Sequence, residues 1–132
     1  MRLTRFHTTN EGGSVFVDVE VDLPHARHDP QGHLIRASNR YLSPSVQFAE
    51  LPEGLDQTWH PAPRRQIVVI LTGTLEVTTS DHASRRFGPG QCFLADDMGG
   101  KGHLTRAVGG PVYVLFAPMP AEVDLAEWTA TG

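Results

Sequence analysis

The 132 residues carry 39% hydrophobic and 20% charged side chains, which excludes a disordered chain and bounds the fold to one domain with one core. A formal net charge of -4 and a pI near 5.9 argue against nucleic acid as a partner, because Arg64-Arg65 and Arg85-Arg86 never extend into a longer basic run. The single cysteine, Cys92, leaves no internal disulfide and no cysteine-built zinc site.

The N-terminal stretch MRLTRFHTTNEGG lacks the apolar stretch of a signal peptide, and no later run approaches the roughly 18 apolar residues of a membrane span; a cytoplasmic location is the expectation. Ser14 to Leu23 alternates, with Val15, Val17, Val19, Val21 and Leu23 on one face, and predicts a half-buried strand. Residues 24–32, PHARHDPQG, read as a loop; Pro24, Pro30 and Gly32 argue against a helix that would turn His25 and His28 into a chelating pair. That loop, with His33, has the reach to fold over the barrel mouth. Tyr41 to Glu50 predicts a bent or edge strand, since Pro44 cannot donate to a ladder. Gln66 to Leu71 is a β-branched run suited to a buried strand, and Thr74 to Thr79 continues it. Ser80 to Ala83 is a turn, with Arg85 to Phe87 returning as the hairpin partner. Gly88-Pro89-Gly90 breaks the chain before a strand at Cys92 to Ala95. A glycine-rich loop at Met98 to Gly102 precedes strands at His103 to Val108 and Pro111 to Ala117. Only Ala121 to Thr129 has a helical pattern. Eight to ten short strands separated by turn signals predict an antiparallel sandwich or small barrel.

Two motifs give this pattern a likeness. In GLDQTWHPAPRRQIVVILTG, Gly54 is followed by five residues and His60; Ala62 stands two further on, then Gln66, and Gly73 closes the stretch. In the second, Gly90 is followed by five residues and then Asp96, Gly100 stands three before His103, and Ala107 follows. The two stretches, 54–73 and 90–107, resemble the paired motifs of the cupins, and the resemblance covers about Val46 to Phe116. It departs from the cupin pattern at the metal ligands. Ala62 occupies the place of the second His and Gln66 that of the Glu. Asp96 occupies a Pro position with two extra residues after it, and Ala107 replaces an Asn. The resemblance implies one cupin domain over residues 1–132: an all-β double-stranded β-helix, a jelly-roll barrel of antiparallel sheets with a short C-terminal helical segment. It also implies a homodimer, because cupins commonly pair and bare sheet edges are hazards.

Strand parity then predicts an inward row of His60, Ala62, Arg64 and Gln66, provided Pro61 and Pro63 do not twist the strand out of register. The second motif sets His103 opposite, with Thr105 beside it. His60, His103, Arg64 and Gln66 are the candidate catalytic residues; Trp59, Thr105, Lys101 and Tyr113 are the candidate ligand contacts. Arg64 and Arg65 cannot both face inward. Cys92 reads as a small buried hydrophobe, with no motif placing a base beside it. DDMGGKGH, residues 96–103, lacks the spacing and the following helix of a phosphate loop.

A strong transition-metal site needs three or more good donors, and His60 and His103 supply two, with Gln66 a weak third; Asp96 or Asp97 would complete the set only by bending in, since neither sits at a ligand position of the motif. The expected cofactor is none, and the alternative is a divalent metal (iron, zinc, nickel or manganese) held by His60, Gln66 and His103. Two imidazoles beside a carboxamide suit acid-base chemistry on a small molecule. The resemblance widens this to isomerases, cyclases and dehydratases of sugar or secondary metabolism. Two other readings stand beside it: a metal-dependent dioxygenase and a non-catalytic ligand-binding barrel.

Overall fold

Thirteen short strands and no helix make up residues 1–131, the part that the computed structural model describes. Numbered in chain order, seven of them form one sheet in the spatial order β13 (Thr129–Ala130), β2 (Ser14–Glu20), β1 (Arg2–Thr8), β10 (Cys92–Asp96), β7 (Gln66–Thr72), β12 (Val112–Pro118) and β5 (Gln47–Leu51). Four form a second sheet, β6 (Asp56–His60), β11 (His103–Ala107), β8 (Leu75–Thr78) and β9 (Ser84–Phe87). The pairings are antiparallel save that of β1 with β10, which is parallel and sets Thr4 opposite Phe93. The all-β jelly-roll architecture expected from the sequence is the observed one, and β5 is an edge strand as Pro44 suggested.

The sheets close on a core to which both contribute: Phe6, Ile70, Phe93, Val112 and Val114 from the larger, Leu75, Val77 and Phe87 from the smaller. A second apolar cluster lies on the outer face of the larger sheet, where Leu3, Val19, Val21 and Leu94 meet Met119 and Trp128. The larger sheet is thus covered on both sides. In β2 the valine face packs into this outer cluster and Phe16 packs into the core.

The expected helix at Ala121 to Thr129 is not formed. Residues 121–128 make turns, with Val123 N–H donating to Pro120 O and Trp128 N–H to Leu125 O, and Thr129–Ala130 joins β2. Two features override the local preference. The Arg65 guanidinium donates to the carbonyls of Met119, Pro120 and Val123 at 2.8, 2.6 and 2.7 Å, removing acceptors from any helical ladder. Met119 and Trp128 are buried in the outer cluster. Burial of one such side chain contributes about 1.5–3 kcal/mol, against a few tenths per residue for helix propensity.

The loop expected at residues 24–32 is also different. β3 (His25–His28) pairs with β4 (Leu34–Ala37) as a separate hairpin, every residue of both strands exposed. The Asp29 carboxylate closes its turn by accepting the backbone N–H of Gln31 and His33 and the His33 ring Nδ1–H. That local hydrogen bonding makes strand ends from a segment rich in turn residues. The N-terminal strand β1 was not foreseen.

Candidate functional site

Between the sheets lies a cavity of about 240 Å³, its walls mostly apolar (Leu51, Val68, Leu75, Phe93 and Phe116 among them). The polar side chains on it are His60, His103, Gln66, Thr105 and Gln57.

His103 opens β11 directly opposite His60, the last residue of β6. Gly102 makes that approach feasible: its φ is +78°, and a Cβ there would lie 2.1 Å from the His60 carbonyl carbon and oxygen. A side chain at 102 would push the two strands apart. The two imidazole rings stand 4.4 Å apart between centroids, and the Phe6 ring packs on His103 at 4.8 Å.

Both rings are tied through Nδ1. His60 Nδ1–H donates to the carbonyl of Thr58 at 2.7 Å, since a carbonyl only accepts. His103 Nδ1–H donates to Asp97 Oδ2 at 2.6 Å. Asp97 is fully buried, and its Oδ1 accepts the backbone N–H of Ala62 at 3.1 Å. The carboxylate therefore fixes the His103 tautomer and its orientation, the role of an orienting acid behind an imidazole base. Among the described residues no buried side-chain nitrogen or oxygen lacks a partner, so the unpartnered Nε2 of His103 opens onto the cavity that the ring lines.

Asp97 was not among the candidate site residues. The signal was present: Phe93 and Ala95 line the cavity, and period two carries the same face to position 97. Its neighbour Asp96 points the other way, where its Oδ2 accepts from Arg5 at 2.6 Å.

The other candidates divide cleanly. His60, His103, Gln66 and Thr105 meet on the cavity. Arg64 does not, which corrects the expected inward row. β6 ends at His60, residues 61–65 cross from the small sheet to the large one, and the parity argument fails at Pro61 and Pro63. Ala62 and Gln66 reach the cavity, while Arg64 is exposed in a neighbouring groove and Arg65 is held by the three C-terminal carbonyls. Tyr113 lies on the outer face of β12, its hydroxyl donating to Glu50, because Val112 and Val114 take the inward positions. Trp59 is one residue from His60 and faces away from the cavity, with the Lys101 ammonium 4.3 Å above its ring. None of His25, His28 or His33 lines the cavity; His25 meets Asn39 and His33 meets Asp29 on the hairpin. Cys92 is half-buried beside the outer cluster, and burial pushes its thiol pKa up, away from nucleophilic use.

The donor set does not fit a tight metal centre. It holds two imidazole Nε2 atoms and the neutral carboxamide of Gln66, and Asp97 is engaged behind His103. Among the described residues no three His, Cys, Asp or Glu side chains stand together as ligands.

No protein-family model and no curated protein matches the chain. Solved structures share its course. A cupin domain of Cnp3 from Schizosaccharomyces pombe is 19% identical, covering 96% of this chain and 86% of that one, with a TM-score of 0.48. The dTDP-6-deoxy-D-glucose-3,5-epimerase RmlC from Legionella pneumophila is 9% identical over 89% and 72%, at 0.46. NovW, a 4-keto-6-deoxy sugar epimerase from Streptomyces spheroides, is 13% identical over 93% and 71%, at 0.43. Likenesses this distant carry nothing about chemistry, which rests on the residues just described.

Proposed function

We propose that the chain is a small-molecule enzyme of the isomerase, cyclase or dehydratase type, whose reaction begins with removal of a proton from carbon beside a carbonyl. The observation that carries this is the Asp97–His103 pair: a buried carboxylate 2.6 Å from Nδ1, with Nε2 free toward the cavity. The lone pair on Nε2 takes the proton, and the electron pair of the broken C–H bond moves onto the carbonyl oxygen as an enolate. Gln66 from the larger sheet and Thr105 from the smaller bring an amide N–H and a hydroxyl to the same cavity to stabilise that oxygen. Returning the proton from His103, or from a protonated His60 beside it, to a different face or atom completes an isomerisation; handing it instead to a β-hydroxyl, which leaves as water as the enolate electrons form the C=C bond, completes a dehydration. The apolar walls keep water from competing and strengthen each of these contacts.

The test is solvent exchange. A panel of small ketones and aldehydes is incubated with the protein in D₂O, and deuterium at the α-carbon is followed by NMR. His103→Ala should lower the exchange rate about 10²- to 10⁴-fold, the reach of general acid-base catalysis. Compounds that bind in the cavity but exchange no faster with the parent than with the variant would make this a binding barrel and end the enzymatic reading.

A second copy of the chain is the partner we propose for the edge strand β5, which leaves Phe48 71% and Val46 61% exposed. A monomer mass by light scattering at micromolar concentration refutes it.

A further inference from the structure

Gln66 lines two spaces. A shallower groove of about 190 Å³ adjoins the cavity and shares Pro63, Gln66 and Phe116 with it; Ser45, Gln47, Pro118 and Arg64 complete its walls. No carboxylate lines either space. The other cations near the site are engaged: Arg5 with Asp96, Arg65 with three carbonyls, Lys101 on Trp59. Among the described residues Arg64 has neither an ion-pair nor a hydrogen-bond partner, and its neighbour Arg65 anchors the backbone that carries it. In a chain of net charge -4, the one Arg, Lys, Asp or Glu side chain lining these two adjoining spaces is positive.

From this we infer that the substrate has two unlike ends: a compact uncharged end that reacts against His103, and a carboxylate that extends past Gln66 and Phe116 to the Arg64 guanidinium. This rests on the reading of the cavity as a substrate site, and it deepens that reading by naming the substrate class. Size supports the division. A dry cavity of about 150 Å³ accepts benzene, so this one of about 240 Å³ takes a six-membered ring with a few substituent atoms. A charge placed inside would meet no guanidinium or ammonium group, since every Arg and Lys side chain lies outside. At the groove, a planar guanidinium offers a carboxylate two parallel N–H donors, flanked by neutral carboxamides and a hydroxyl. Arg64 is then a specificity residue of the groove and touches no reacting atom.

The experiment uses the ω-phenylalkanoates from phenylacetate to 5-phenylpentanoate, each paired with its primary amide. Kd values come from titrations that follow the imidazole resonances of His60 and His103. At least one acid should bind more tightly than its amide by about three- to tenfold, the range for a partly exposed Arg–carboxylate pair. Arg64→Gln should abolish the preference, Arg64→Lys should keep part of it, and raising the salt should weaken it. Equal binding of every acid and its amide, a preference that survives in Arg64→Gln, or no binding by any of the series overturns the inference. Failure of the D₂O exchange with the acid preference intact would leave the inference standing on a non-catalytic barrel. Exchange without the preference would remove Arg64 alone.

Discussion

Replacing Asp97 by Asn isolates what the buried carboxylate does. In the parent, one oxygen accepts the Ala62 amide at 3.1 Å and the other accepts His103 Nδ1–H at 2.6 Å. An asparagine has the same outline but only one acceptor oxygen. If that oxygen keeps Ala62, the new NH₂ faces Nδ1 and can only donate to it, which moves the His103 proton to Nε2. The lone pair that faced the cavity is then gone. The alternative flip sets the NH₂ against the Ala62 N–H, which keeps only its 3.3 Å bond to the carbonyl of residue 97, and leaves the buried NH₂ facing a donor, at about 1–3 kcal/mol. The first arrangement should therefore hold. Loss of the charge-assisted hydrogen bond lowers stability by about 1.5–3 kcal/mol, enough to shift the midpoint of melting by several degrees while leaving the chain folded. Proton transfer should slow about 10⁴-fold, as when a triad aspartate is amidated and its histidine takes the wrong tautomer. The assay needs no substrate. With ¹⁵N-labelled histidine, the His103 nitrogens report Nδ1–H in the parent and should report Nε2–H in the variant at neutral pH. A folded Asp97→Asn protein whose His103 keeps its proton on Nδ1 would refute the argument that Asp97 sets the base.

Elemental analysis of the parent should show well under one equivalent of iron, zinc, nickel or manganese, and Gln66→Glu, which adds a carboxylate to the cavity beside two imidazole nitrogens, should raise it; full occupancy already in the parent would reverse the reading of the donor set. Gly102→Ala drives a methyl into the His60 carbonyl at a backbone angle that disfavours any side chain, so it should destabilise by about 2 kcal/mol or more in urea unfolding and separate the two histidine signals, and an unchanged midpoint would contradict the geometry. Glu76 is held below the ordinary carboxyl range, chiefly by its hydrogen bond to Arg106 and next by that to Arg86. A depressed folded pKa gives stability that is present above the unfolded value and is lost as pH falls through the folded one. Glu76→Gln should therefore cost up to about 1 kcal/mol at pH 7 and progressively less on acidification below the usual Glu range, whereas a gap that widens in acid would show the sign to be wrong.

Strands with one wet face or a β-branched run announced themselves in the sequence, as at β7, β8 and β12. β1 did not, because Leu3 packs outward and Phe6 inward, and a strand covered on both faces has no polar alternation to display. Motif spacing located His60 and His103, and parity alone would have turned Tyr113 outward between Val112 and Val114, and Trp59 away from His60. Asp97 was legible only once the face of Phe93 and Ala95 was known, which depends on the opposing sheet. Arg64 and the C-terminal segment were illegible for a different reason. The first depends on where two prolines end a strand, and the second on a guanidinium more than 50 residues away in the chain.

The parallel pairing of β1 with β10 bears on how the protein reaches its native state. Asp97 directly follows a strand held on one side by β7 and on the other by β1, so its neighbourhood is complete only after the chain segment around Thr4 has found that around Phe93. Closing so long a loop brings an entropic cost before any contact rewards it, and folds dominated by such pairings form in milliseconds to seconds. During synthesis the first strand leaves the ribosome long before its partner exists. The surroundings of the Asp97–His103 pair are therefore complete only when the two halves of the chain have joined.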